Sequence, residues 1–174
     1  MKARNCWVSR NSGLGMLWAL ATITFLLHAN AAVAAEESPL QGSMTSFLVT
    51  KNAEGVEVLT ETEQVKPGQT IEYALVYGNV GVADLTDVNI VGPIPAGTVY
   101  LADTAMTLKD LTPRFSIDGG IVFKLEPISY KVKQADGSEI ERIATPDMYT
   151  HIQWNLANFL AQQKLTLKYR VKVK

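Results

Sequence analysis

Leu165-Thr166-Leu167-Lys168-Tyr169-Arg170-Val171-Lys172-Val173 alternates apolar and polar residues without a break. An extended chain places Leu165, Leu167, Tyr169, Val171 and Val173 on one face and Thr166, Lys168, Arg170 and Lys172 on the other, whereas a helix would scatter both sets around its circumference. The same rhythm recurs upstream. Ile71, Tyr73, Leu75 and Tyr77 oppose Thr70, Glu72, Ala74 and Val76, between Pro67-Gly68 and Asn79-Val80-Gly81. Ile152, Trp154 and Leu156 oppose His151, Gln153 and Asn155.

Between these strands lie turn signals. Met44 to Thr50, with Phe47 and Val49 on one face, and Val56 to Leu59 flank Asn52-Ala53-Glu54-Gly55 and read as a hairpin. A strand through Val88 and Ile90 is stopped by Gly92-Pro93-Ile94-Pro95-Ala96-Gly97, because two prolines remove two ladder donors, and extended structure resumes at Thr98. Phe115 to Asp118 and Ile121 to Leu125 read as a second hairpin across Asp118-Gly119-Gly120. A third joins Ile128–Val132 to Ile140–Ile143 through Ala135-Asp136-Gly137-Ser138. The one helix-permissive stretch is Asn155 to Gln163, where Leu156, Phe159 and Leu160 share a helical face. The reading is all-β: an immunoglobulin-like antiparallel β-sandwich of roughly seven to nine strands, with a closed barrel as the alternative.

The N-terminus reads as an export signal. Lys2, Arg4 and Arg10 precede an apolar run from Leu14 to Leu27, and Ala31-Ala32-Val33-Ala34-Ala35 supplies small residues for cleavage after Ala34 or Ala35. The run is shorter than the about 20 apolar residues of a spanning helix, so no membrane span is expected after cleavage. Residues 1–35 are thus read as signal peptide, 36–42 as a mobile N-terminus and 43–174 as one domain, periplasmic or secreted. Cys6 leaves with the signal, so the domain folds without a disulfide. The charge left is 13 Lys and Arg against 17 Asp and Glu, a balance that argues against nucleic-acid binding.

The segment Val65 to Tyr100 resembles the bacterial conserved-repeat family known as domain of unknown function eleven. Pro67-Gly68, Ile71, Tyr73, Leu75, Asn79, Gly81 and Pro95-Ala96-Gly97-Thr98 carry the resemblance. Ser116 to Gly120, Tyr149 to Trp154 and Leu165 to Val173 extend it along most of the chain. It implies an immunoglobulin-like module of cell-envelope or secreted proteins. Two features depart from the family: Gly92 stands where members commonly have an acidic residue, and Asn158 to Gln163 replaces a glycine-containing turn.

No catalytic set emerges. Beyond the signal the chain keeps one histidine, His151, and no cysteine, too few for a nucleophile–base arrangement of the usual kind or for a zinc site. Asp84 with Asp87, and Asp136 with Glu139, sit in turns and lack the alternating spacing of a calcium loop. Glu57, Glu61 and Glu63 read as solvated strand carboxylates; Tyr100, Tyr130 and Tyr149 are the aromatic residues available to stack on a sugar, and Trp154 reads as core. Lys164, Lys168, Arg170, Lys172 and Lys174 form the conspicuous charge cluster: protection of an exposed strand edge is the structural reading, contact with a polyanion through Lys168, Arg170 and Lys172 the functional one. The expectation is a non-catalytic binding or scaffolding domain needing no cofactor or metal, acting on a protein partner in the envelope or outside the cell. A glycan- or polyanion-binding module using the last strand is the alternative.

Overall fold

The computed structural model describes residues 38–106 and 111–174. The stretch read as a signal peptide and the expected cleavage after Ala34 or Ala35 lie outside the described residues. Among the described residues ten strands are formed: β1 Leu40–Lys51, β2 Glu57–Glu61, β3 Thr70–Asn79, β4 Leu85–Pro93, β5 Thr98–Tyr100, β6 Arg114–Ser116, β7 Ser129–Lys133, β8 Glu139–Ile143, β9 His151–Phe159 and β10 Lys164–Val173. They build a five-stranded sheet in the order β2-β1-β3-β10-β5, a three-stranded sheet β4-β9-β6 and a separate hairpin β7-β8, every pairing antiparallel. The chain folds as the expected β-sandwich, with the two larger sheets packed through one core.

Alternation decides which side of each strand enters that core. Ile71 and Leu75 of β3 pair with Val171 and Leu167 of β10, and Tyr73 pairs with Tyr169, so these side chains share the inner face of the large sheet. Val88 and Ile90 of β4 and Ile152, Trp154, Leu156 and Phe159 of β9 face them from the smaller sheet, all buried. Each large apolar side chain removed from water in this way contributes about 1.5–3 kcal/mol. The buried rings with polar ends find partners. Trp154 Nε1–H donates to the Met106 carbonyl at 2.9 Å, the Tyr149 hydroxyl donates to Glu126 Oε1 at 2.8 Å, and the Tyr169 hydroxyl donates to the Pro93 carbonyl. Asn79, also buried, gives its amide protons to the Ala83 and Phe159 carbonyls and accepts from Gly81 N–H, locking the β3–β4 turn.

Several expectations need correction. Asn155 to Gln163 is not helical: β9 runs through Phe159, and only residues 160–163 turn. β1 begins at Leu40, paired with Asn79, so residues 40–42 belong to a strand and not to a mobile tail. The first and third hairpins form as read. The second is reduced to a single bridge between Phe115 and Lys124, because Asp118 folds the intervening loop on itself by accepting from Ile121 and Val122 N–H. Finally, the last strand is no open sheet edge at its charge stripe. β5 pairs with Val171–Val173, and the Leu101 and Met106 amides donate to the Arg170 and Lys168 carbonyls, so edge protection does not account for Lys168, Arg170 and Lys172.

Candidate functional site

The polar sides of β3 and β10 look away from the core and form the outer face of the five-stranded sheet. Register places Glu72 beside Arg170 and Ala74 beside Lys168, with Thr70 next to Lys172. Phe47 of β1 flanks Glu72, and Val49 and Leu59 extend the Thr70 row toward β2. The three cations singled out in the sequence therefore stand in one line, two residues apart, on an interior strand.

Their charges are not equally available. The Arg170 guanidinium donates through Nε to Glu72 Oε2 at 2.9 Å, and through Nη1 and Nη2 to the two Glu57 oxygens at 3.1 and 2.8 Å. Lys168 Nζ lies 3.3 Å from Glu72 Oε1. That oxygen has no aligned donor, so an ion pair without directed hydrogen bonding holds it. Glu72 is almost fully buried, and two cations on the neighbouring strand offset the cost of taking its charge out of water. The bidentate contact with Arg170 holds the Glu57 carboxyl below the usual carboxylate range, and Glu57 and Glu72 in turn raise Arg170 further above its ordinary value. Among the described residues Lys172 makes no ion pair, and it alone of the three keeps an uncommitted charge. A polyanion approaching this stripe competes with two carboxylates already in place.

The contact between Arg170 and Glu57 also shapes the sheet. Two strands separate β2 from β10, which at about 4.8 Å per strand puts them beyond the reach of a pair held side by side. The β1–β2 hairpin must therefore curl toward β10, and the guanidinium ties its end down. Sequence reading had no signal for this, since the partners are 113 residues apart.

The remaining candidates are dispersed. His151 is half-buried, with Nδ1 3.2 Å from the Thr150 hydroxyl, and it stands beside Gly120. Asp84 accepts from Ala161 N–H, and Asp136 accepts from the Ser138 amide and hydroxyl, so both carboxylates serve turns. Tyr100 and Tyr149 are buried against Phe115 and do not form the sugar platform considered for them; Tyr130 is half-buried. A cleft of about 550 Å³ opens between the 115–124 loop and the β7–β8 hairpin, with Phe115, Ile117, Val122, Ile128 and Tyr130 among its walls. Among the described residues no three His, Cys, Asp or Glu side chains gather to hold a metal ion, and no helix is long and apolar enough to cross a membrane.

At the far side of the large sheet, β2 ends the hydrogen-bonded order. All five of its residues are exposed, including Val58 and Leu59 at about 40 %. Comparison with protein-family models, with curated proteins and with solved structures finds no match to this chain.

Proposed function

We propose that this chain is an exported, periplasmic or secreted, non-catalytic binding or scaffolding domain that works by protein–protein contact over the outer face and edge of its five-stranded sheet. The observation that carries this reading is the internal pairing of that face. Glu57, Arg170, Glu72 and Lys168 are ion-paired with one another, while Val49, Leu59 and Phe47 stand beside them wholly or partly open to solvent. Apolar groups interspersed with mutually satisfied charges make a surface suited to a protein partner, because little charge must be stripped of water without compensation. The likeness of Val65–Tyr100 to an envelope-module family supports the same reading, as does the signal-like N-terminus. The polyanion alternative has less support, since of Lys168, Arg170 and Lys172 only Lys172 is free of a carboxylate.

Affinity capture from an envelope fraction with the mature domain tests this. The expected result is a defined protein partner whose retention survives Lys168→Gln and Lys172→Gln. Retention on heparin-like resin that disappears with those two substitutions, or turnover of an ester, peptide or glycoside that disappears with His151→Ala, would overturn it.

A further inference from the structure

The hydrogen-bond phase of the β1–β2 hairpin states which backbone groups of the edge are unpaired. Asn52 N–H donates to the Val56 carbonyl and Thr62 N–H to the Ser46 carbonyl, at 3.0 and 3.1 Å, with continuous pairing from Lys51↔Glu57 to Phe47↔Glu61 between them. Val58 and Thr60 must therefore turn their amides and carbonyls toward β1, and Glu57, Leu59 and Glu61 turn theirs away from the sheet. These outward groups have no neighbouring strand among the described residues. Of the usual safeguards of such an edge, β2 carries no lysine, no proline and no bulge; its protection against like strands is its five-residue length and the charges of Glu57 and Glu61.

The other edges of the fold are less open to a guest. β4 is broken by Asp87, whose φ of 52° lies in the left-handed region, and ends on Gly92-Pro93. β5 and β6 have three residues each. The β7–β8 hairpin is charged on both strands, with Lys131 and Lys133 on β7 and Glu139, Glu141 and Arg142 on β8.

We infer that β2 receives an extended segment of a protein partner as a sixth, antiparallel strand of the large sheet, with an apolar residue opposite Leu59 and a lysine or arginine opposite Glu61. Antiparallel addition continues the order of the sheet and satisfies the outward amides and carbonyls of Glu57, Leu59 and Glu61. Charge chooses the occupant. Glu57 is already neutralised by Arg170, whereas Glu61 has no cation among the described residues within ion-pair distance, and a basic side chain two residues from the apolar one falls directly beside it. A second copy fits worse. Self-pairing of β2 about Leu59 sets Glu57 of each chain opposite Glu61 of the other, and like charges facing each other across a strand pair are destabilising. This inference rests on the protein-binding reading above and names the site and the partner's chemistry.

The probe is a blocked synthetic peptide, Ser-Lys-Thr-Ile-Thr-Ser-Thr, titrated into isotope-labelled mature domain and followed by amide shifts and hydrogen exchange. The expected result is shifts centred on residues 56–62, with the Glu57, Leu59 and Glu61 amides gaining protection. Leu59→Pro should abolish binding, because it deletes an outward donor while leaving the bonds to β1 intact. Glu61→Lys should weaken it about tenfold and restore it for a peptide with glutamate in place of lysine. Unchanged fluorescence of the buried Trp154 in both variants certifies the fold. No binding at saturating peptide, shifts elsewhere, indifference to Leu59→Pro, or a free domain that is already dimeric with these amides protected would each overturn the inference. An envelope partner still captured by Leu59→Pro refutes the edge but keeps the parent reading; a wild-type domain that captures no protein refutes the parent reading itself.

Discussion

Gly92 lies under the ring of Tyr169. A Cβ built on it would stand 2.8 Å from Tyr169 Cε1, 3.0 Å from its hydroxyl oxygen and 3.2 Å from Ile152 Cγ2. Both neighbours are fully buried and leave no room for a side chain, which explains why this position is glycine. Gly92→Ala should destabilise the domain by about 1–3 kcal/mol, read as a lower urea midpoint at constant m-value. Arg170 is the other residue on which much rests. Arg170→Met strands the buried Glu72 carboxylate with Lys168 as its only counter-ion and should cost about 2–3 kcal/mol. Adding Glu72→Met should recover most of that loss, since replacing both members of a buried pair removes the desolvation cost together with the attraction. Equal destabilisation in single and double variants would contradict this account of the outer face.

At the level of elements, what was legible followed from local chemistry. The Ala135-Asp136-Gly137-Ser138 turn could be read because its devices are written in four residues: Gly137 at φ 86°, and Asp136 accepting from Ser138. Gly137→Ala should cost about 1 kcal/mol in a thermal or urea melt, with the buried core otherwise unchanged. The end of β9 was misread for an equally local reason. Its buried residues run Ile152, Trp154, Leu156 and then Phe159, and that final interval breaks the two-residue rhythm into one a helix could use. The structure shows both strands changing phase together. Pairing of β4 with β9 passes from Val88↔Leu156 to Thr86↔Asn158, omitting Asp87 and Ala157. The register itself is kept; the left-handed backbone of Asp87 accompanies the change of face, and periodicity alone carries no sign of it. Strand order was also invisible. The alternation of β10 reads the same on an edge as in the middle of a sheet, so the stripe of Lys168, Arg170 and Lys172 could be seen while its carboxylate partners on β2 and β3 could not.

For the whole molecule, stability without a disulfide rests on the shared core and on carboxylates that hold turns and the sheet face together. Asp118, through the Ser116 hydroxyl and then the Val122 amide, Asp136 through Ser138, Asp147 through Thr145 and Glu57 through Arg170 all have their pKa lowered on folding. The unfolded chain binds protons at these groups first, so their contribution is present above the ordinary carboxylate range and disappears as pH falls through the lowered values. Melting temperature should hold between about pH 7 and 5 and fall progressively below about pH 4, and Asp118→Asn should flatten that decline. The account of the binding surface stands on the order of the large sheet, with β10 enclosed and β2 open. Amide hydrogen exchange of the free domain, residues 36–174, resolved residue by residue along the first hairpin, tests that order most directly. The prediction is an alternating record: Val58, Thr60 and Thr62 slow, Glu57, Leu59 and Glu61 fast. Uniformly slow exchange would mean the edge is already covered, and uniformly fast exchange would mean the hairpin does not form; either would contradict the structure on which the proposed function is built.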